Sequence, residues 1–307
     1  MRKRPRVVFI AGPTASGKSA VAQRLAALAP CTLISADAMQ VYKGMDIVTD
    51  KPDRAARRRF RHALIDTVPP TKEYNAAVFC RAARRAIRTA LRAKRCPVVV
   101  GGTGLYIRSL IEGLFEGPGA DAGVRRRLEG EALRKGPDEL WERLRRVDPL
   151  SAARIGRGPV RRLIRALEVY ELTKRPLSEL QGRSAGIARD YDVRLFVLRR
   201  SREDLYARID RRVDEMMERG LIGEVRGLLK KRLSRTARGC IGIPEVEGYL
   251  EGRYDTAEAV RLIKRNTRHF AKRQMTWFRR EKGAVWLDVA ADADLTRAAG
   301  RILSALK

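Results

Sequence analysis

The chain has 307 residues and a formal net charge of +30, with 44% hydrophobic and 33% charged residues. That is long enough to bury a sizeable core, and no apolar run approaches the length of a membrane span, so a soluble, globular chain without membrane contact is expected. Two histidines, His62 and His269, and four scattered cysteines, Cys31, Cys80, Cys96 and Cys240, argue against His-based acid–base chemistry and Cys-rich zinc modules. The thiols read as reduced and packed. Arginine dominates the charge, either as a bland solubilising residue or for a polyanionic partner much larger than one small phosphate ester, which means nucleic acid. The basic start, Met1-Arg2-Lys3-Arg4-Pro5, feeds straight into an apolar run. No signal peptide is expected, and the location expected is cytoplasmic.

Arg6-Val7-Val8-Phe9-Ile10-Ala11 is a β-branched, apolar run of strand length that meets Gly12-Pro13-Thr14-Ala15-Ser16-Gly17-Lys18-Ser19. A helix is predicted over residues 20–29. Strand, G-x-x-x-x-G-K-S loop and helix in that order make a phosphate-binding loop, in which successive backbone N–H groups and the helix N-terminus cradle the anion. Lys18 brings a full charge to the distal phosphates, and the Ser19 hydroxyl is placed to ligate Mg2+. A di- or triphosphate is expected across residues 12–19.

A second strand, Cys31-Thr32-Leu33-Ile34-Ser35, delivers Ala36-Asp37-Ala38-Met39-Gln40 at its carboxyl end. Doubly wound α/β sheets bind ligands there. A basic helix is predicted over 54–61, a short strand over 62–66, and an amphipathic helix over 75–94 with Ala77, Cys80, Ala83, Ile87 and Leu91 on one face. Pro97-Val98-Val99-Val100 reads as a buried strand ending in Gly101-Gly102-Thr103. Such alternation of strand and helix argues a parallel sheet. From 121 to 189 the pattern is helical only, and strand alternation resumes over 191–198. Helices are predicted over 201–217, 221–231 and 258–280, then a strand Val285-Trp286-Leu287-Asp288 and a closing helix over 295–306. The expected fold class is α/β: a P-loop NTPase-like parallel-sheet core, residues 1–120 and 190–307, with an all-helical insertion domain, residues 121–189.

A P-loop kinase or ATPase usually sets a carboxylate at the end of a buried strand to hold Mg2+. Here the strand 97–100 runs into Gly101-Gly102-Thr103, and the one acid at a strand end is Asp37. It serves as a metal anchor or as a base toward an acceptor; an Asx-turn is its structural alternative. Arg208 and Arg212, one helical turn apart, share a helix face, as a ligand-binding pair or as exposed surface.

Residues 12–19, then Ile34-Ser35-Ala36-Asp37-Ala38-Met39-Gln40-Val41-Tyr42-Lys43-Gly44-Met45-Asp46, then Gly101-Gly102-Thr103-Gly104-Leu105-Tyr106, closely resemble the tRNA dimethylallyltransferases. Arg165-Ala166-Leu167-Glu168-Val169 and Ala271-Lys272-Arg273-Gln274-Met275-Thr276-Trp277-Phe278-Arg279 are similar to the same family. The resemblance runs from the first strand to about Asp288. It implies that the loop holds the diphosphate of dimethylallyl diphosphate rather than ATP, which makes sense of the missing strand-end acid. It implies that Lys18, the loop N–H groups and Mg2+ at Ser19 neutralise the departing diphosphate, and that Asp37 accepts the proton of an adenine N6. Thr103 matches a threonine that touches both substrates, and Arg212 an arginine that reaches the diphosphate.

For tRNA, the resemblance implies that Asp37, Ala38, Met39 and Gln40, together with Arg161, Arg162, Leu163, Ile164 and Arg165, lie against the flipped base and the anticodon stem-loop. Arg125 matches a tRNA-contacting arginine. The basic helix carrying Arg261, Lys264, Arg265, Arg268, Lys272, Arg273, Arg279 and Arg280 would track phosphates, with Gln274 beside Lys272 and Arg273. A monomer is expected. Three departures stand out: Ala38 where the family usually has Ser, Arg161 where Gln is common, and Ile243-Pro244 in place of Tyr-Lys. The alternatives are a prenyltransferase acting on free adenine nucleotide, a P-loop small-molecule kinase, and a non-catalytic RNA-binding protein.

Overall fold

The computed structural model describes residues 4–115, 117–181 and 185–306. The basic residues Met1 to Lys3, and residues 182–184 of the expected helical stretch, lie outside the described residues. The chain divides into two compact units, residues 1–111 with 187–307, and residues 112–186.

In the first unit the elements run β1 (Arg6–Ala11), α1 (Lys18–Leu28), β2 (Cys31–Ser35), α2 (Arg54–Arg59), β3 (His62–Ala63), α3 (Ala76–Arg92), β4 (Cys96–Gly101) and α4 (Gly104–Glu112). The second unit carries α5 (Ala122–Lys135), α6 (Pro137–Val147), α7 (Pro149–Ile155), α8 (Val160–Thr173) and α9 (Leu177–Gln181). The first unit then resumes with β5 (Asp192–Arg199), α10 (Arg202–Glu218), α11 (Leu221–Leu229), α12 (Arg235–Arg238), α13 (Ile243–Leu250), α14 (Thr256–Phe278), β6 (Val285–Asp288) and α15 (Asp292–Ser304).

Among the described residues six strands form one parallel sheet in the order β3-β2-β4-β1-β5-β6. Strands buried on both faces need continuous apolar runs, and β1 supplies one. Val7, Phe9 and Ala11 join the core on one face with Ile34, Phe79, Ile87 and Val213. Val8 and Ile10 join the other with Val21, Leu25, Leu287 and Ile302. From β1 the chain departs toward β2 on one side, and β5 returns on the other. The carboxyl end of β1 is therefore the switch point at which open α/β sheets bind ligands.

The predicted strand over 62–66 shortens to His62–Ala63. Leu64 and Asp66 take φ of 62° and 59°, a left-handed turn that no strand continues through. Helix α1 starts at Lys18, directly from the loop, rather than at 20. Helices α4, α12 and α13 are additions to the sequence reading.

The helical unit has its own core of Leu128, Leu140, Leu144, Leu163, Ile164 and Leu167. Leu163 and Ile164, expected at the RNA, are 0% and 5% exposed. Their side chains hold α8 against its neighbours, and Arg161 and Arg162 are the exposed members of that segment. Glu168 is fully buried there, and its carboxylate accepts from Arg125 Nε (2.8 Å), Arg125 Nη2 (3.0 Å) and Arg165 Nη1 (2.6 Å). The Asp121 N–H adds a fourth bond at 2.8 Å. Burial would raise the Glu168 carboxyl, but the hydrogen bonds from Arg125, Arg165 and Asp121 outweigh it and hold the group below its usual range.

Candidate active site

The loop between β1 and α1 bends at Gly12 (φ 145°) and Gly17 (φ 97°), conformations that side chains rarely adopt. At Gly12 a Cβ would also stand 2.9 Å from the Leu198 carbonyl oxygen of β5. Four side chains from later in the chain grip the loop. Arg200 Nε donates to Ser16 O (3.1 Å), Arg208 Nε to Ala15 O (3.1 Å) and Arg212 Nη1 to Thr14 Oγ1 (2.9 Å). Gln274 Oε1 accepts from the Thr14 N–H at 2.8 Å. The loop is held in shape before any anion arrives, which is what electrostatic preorganisation requires.

Lys18, Ser19, Asp37, Arg208 and Arg212 line one cleft of about 270 Å³. Lys18 Nζ donates to Pro13 O at 2.5 Å, and Arg212 pairs with Asp50 at 3.2 Å. Burial, then the Arg212 guanidinium, push the Lys18 ammonium down to about 7, against the opposing pull of Asp37 and Asp50. An anion in the cleft would restore its charge, so binding of an alkyl diphosphate that is already fully ionised at about pH 8 should take up a proton, and its affinity should fall as pH rises above the pKa of the unliganded Lys18. Calorimetry in two buffers of different ionisation enthalpy measures the uptake. Lys18→Met should abolish it, and its absence from the unmodified protein would refute the assignment.

Asp37 follows β2. Its Oδ1 accepts from the N–H groups of Met39 (2.8 Å) and Gln40 (3.2 Å), and its other oxygen takes no hydrogen bond from the described residues. The Asx-turn is thus present, yet it occupies only one oxygen. Gln40 Nε2 donates to Thr49 O and Asp50 O at 3.3 and 3.2 Å, steadying the segment that brings Asp50 to Arg212. Thr103 is not in the cleft lining; its Oγ1 accepts from the Ala38 N–H at 3.2 Å and so fixes the Asp37 turn from behind. Strand β4 ends in Gly101-Gly102 without a carboxylate. No cluster of three or more acidic, His or Cys residues among the described residues is arranged to hold a metal. The exposed Ser19 hydroxyl and the uncommitted Asp37 oxygen are hard donors, suited to a Mg2+ ion that keeps waters and phosphate oxygens in its shell.

The residues expected at a polyanion divide. Arg161, Arg162, Lys272 and Arg273 are exposed, whereas Arg125 is forked onto Glu168 and Arg165 divides its guanidinium between Glu168 and the Pro118 carbonyl. Gln274, expected at the RNA, is 7% exposed, and both ends of its amide are engaged within the protein. A side chain so committed braces the loop. On α14, Arg261 pairs with Glu258, Lys264 with Asp214 and Arg268 with Asp210. Lys272, Arg273, Arg279 and Arg280 are exposed without a carboxylate partner among the described residues. Sequence reasoning missed Arg200, and among 66 Lys and Arg residues nothing local marks it out. Of the departures, Ile243 is buried and Pro244 enters the first turn of α13, while Ala38 packs half-buried against the core.

The model of the IPP transferase family matches residues 40–281. The chain belongs to the IPP transferase family. It is 45% identical over 294 residues to the tRNA dimethylallyltransferase of Geobacter metallireducens, covering 95% of each chain. It is 44% identical over 286 residues to that of Thermotoga petrophila, covering 92% of each. The solved tRNA isopentenylpyrophosphate transferase of Bacillus halodurans matches with a TM-score of 0.72 at 36% identity, over 99% of this chain and 97% of that one. A eukaryotic dimethylallyltransferase acting on tRNA matches with a TM-score of 0.78 at 27% identity, over 97% and 77%. The matched span of the IPP transferase family includes Thr103, Arg212 and Gln274 and begins after Asp37, whereas the alignment with the Geobacter metallireducens relative spans 95% of the chain.

Proposed function

We propose that this member of the IPP transferase family moves a dimethylallyl group from dimethylallyl diphosphate to N6 of the adenosine on the 3′ side of a tRNA anticodon, releasing diphosphate. The observation that carries the reading is a single cleft holding a phosphate loop, three cations and one uncommitted Asp37 oxygen, with no carboxylate at the end of β4. The relatives at 44–45% identity are tRNA dimethylallyltransferases, which supports it.

Adenine N6 is a weak nucleophile because its lone pair is delocalised into the ring, so the leaving group must be made good and the proton removed. The carbon–oxygen bond to diphosphate breaks as the carbon–nitrogen bond forms. Lys18, Arg212 and the loop N–H groups stabilise the charge growing on the departing diphosphate. Mg2+, arriving with the diphosphate and held at the Ser19 hydroxyl, would supply further neutralisation there. The free Asp37 oxygen takes the N6 proton, and Thr103 keeps Asp37 in register by holding the Ala38 N–H. Ala38, Met39 and Gln40 border the base, and exposed Arg161, Arg162, Lys272 and Arg273 meet the anticodon stem-loop. The helical unit, residues 112–186, serves as an RNA-contacting domain. We take the protein to act as a monomer in the cytoplasm, where tRNA is its substrate. Separately, no helix among the described residues is long and apolar enough to cross a membrane.

Mass spectrometry of nucleosides from tRNA incubated with the protein, Mg2+ and dimethylallyl diphosphate tests this directly. A dimethylallyl adduct on adenosine in tRNA, with none on free adenosine monophosphate, is the expected result. An adduct on the free nucleotide alone would make it a nucleotide prenyltransferase, and brisk tRNA-stimulated ATP hydrolysis would revive the kinase.

A further inference from the structure

Strand β4 lies between β1 and β2, so its carboxyl end separates the phosphate loop that follows β1 from the Asp37 turn that follows β2. Any error in the spacing between those two segments passes through Gly101-Gly102-Thr103. On the β2 side the junction is tight: the Thr103 N–H donates to Ala36 O at 3.3 Å, and Thr103 Oγ1 accepts from the Ala38 N–H. A Cβ on Gly101 would stand 2.2 Å from Ala36 O, so the strand ends touch through backbone.

On the β1 side the junction is made by a side chain from far along the chain. Gln274 of α14 accepts from the Thr14 N–H through Oε1 (2.8 Å) and donates to Gly102 O through Nε2 (2.9 Å). A Cβ on Gly102 would lie 2.3 Å from Gln274 Nε2 and 3.2 Å from Gly12 O, so the glycine leaves room for one amide and nothing else. A primary amide is the group that offers an acceptor to one side and a donor to the other.

We propose that Gln274 is a positioning residue that sets the distance between the diphosphate-holding loop and the Asp37 base. The inference rests on the prenyl-transfer reading, because only a reaction that needs leaving group and base at once is sensitive to that distance. Group transfer depends steeply on such alignment, and small misplacements cost rate more than binding. Gln274 borders the cleft but commits both ends of its amide within the protein, so it would act through Thr14 on one side and through Gly102, Thr103 and Asp37 on the other.

The test is a double-mutant cycle over Gln274→Met and Asp37→Asn, reading single-turnover prenyl transfer to tRNA and the affinity for inorganic diphosphate. Gln274→Met should slow transfer about tenfold or more while changing diphosphate affinity by less than about threefold. In the Asp37→Asn background the same change should cost almost nothing, because there is no base left to misplace. Gln274→Glu keeps the acceptor for Thr14 and loses the donor for Gly102; it should show the same split and stands in if the Met variant does not fold. Losses that multiply in full, or a diphosphate affinity that drops as far as the rate, would overturn the inference and leave Gln274 a general brace. Absence of any adduct with the unmodified protein would instead refute the prenyl-transfer reading itself.

Discussion

Asp37→Ala lowers prenyl-transfer turnover by about 100-fold or more, the scale on which a general base acts, while diphosphate affinity changes little. The geometry allows a sharper version, because Asp37 has two jobs on two oxygens. Oδ1 closes the turn onto the Met39 and Gln40 N–H groups, and the other oxygen is uncommitted among the described residues. Alanine removes both functions. Asparagine keeps an oxygen for the turn and removes only the proton acceptor. Asp37→Asn should therefore match Asp37→Ala in lost turnover while retaining the thermal stability of the unmodified protein. If the asparagine variant turned over at near-normal rate and only alanine failed, Asp37 would be a turn residue and the base would have to be sought elsewhere in the cleft.

The second large effect is on RNA affinity and follows from charge. Each neutralised phosphate releases counterion, so a protein gripping about 6 phosphates loses roughly 10³-fold in affinity between 50 and 200 mM salt. A net charge of +30 makes such a slope plausible in size, but the ion pairs decide where it originates. Lys272→Glu with Arg273→Glu should weaken tRNA binding and flatten the salt slope by about 2, since both side chains are exposed and without carboxylate partners among the described residues. Arg261→Ala with Lys264→Ala should alter the slope far less, because Glu258 and Asp214 already occupy those cations. Salt titrations by filter binding or fluorescence anisotropy separate the two. An unchanged slope in the Glu pair, or an equal loss in the Ala pair, would move the docking surface away from the end of α14.

Much of the core was legible in the sequence because its signals are local. Strands β1, β2 and β6 fall on the predicted residues, since a short apolar run flanked by glycine, serine or charge has few other ways to bury itself. The phosphate loop was legible for the same reason: glycines at two fixed positions and Lys-Ser at the helix start. What escaped was set by distant partners. Residues 62–66 have strand-like composition, yet the left-handed turn at Leu64 and Asp66 ends the pairing, and Lys51 Nζ holds Asp66 there at 2.9 Å. Helix α4 was hidden because Gly101-Gly102-Thr103-Gly104 resembles a turn, when in fact the glycines make room for Ala36, Gln274 and Trp277. Gln274 and Glu168 sit among charged neighbours on amphipathic helices, and only the packed structure turns those side chains inward.

The ion pairs along α14 also have a kinetic side. A polyanion must displace Glu258, Asp214 or Asp210 before it can use Arg261, Lys264 or Arg268, and it gains only the difference. On the proposed RNA-binding reading, the grip would then fall on the short stretch around Lys272, Arg273, Arg279 and Arg280. Residence time lengthens exponentially with binding free energy. If RNA docks there, a helix with every cation free would keep a finished product seated longer than a row half answered from within the protein.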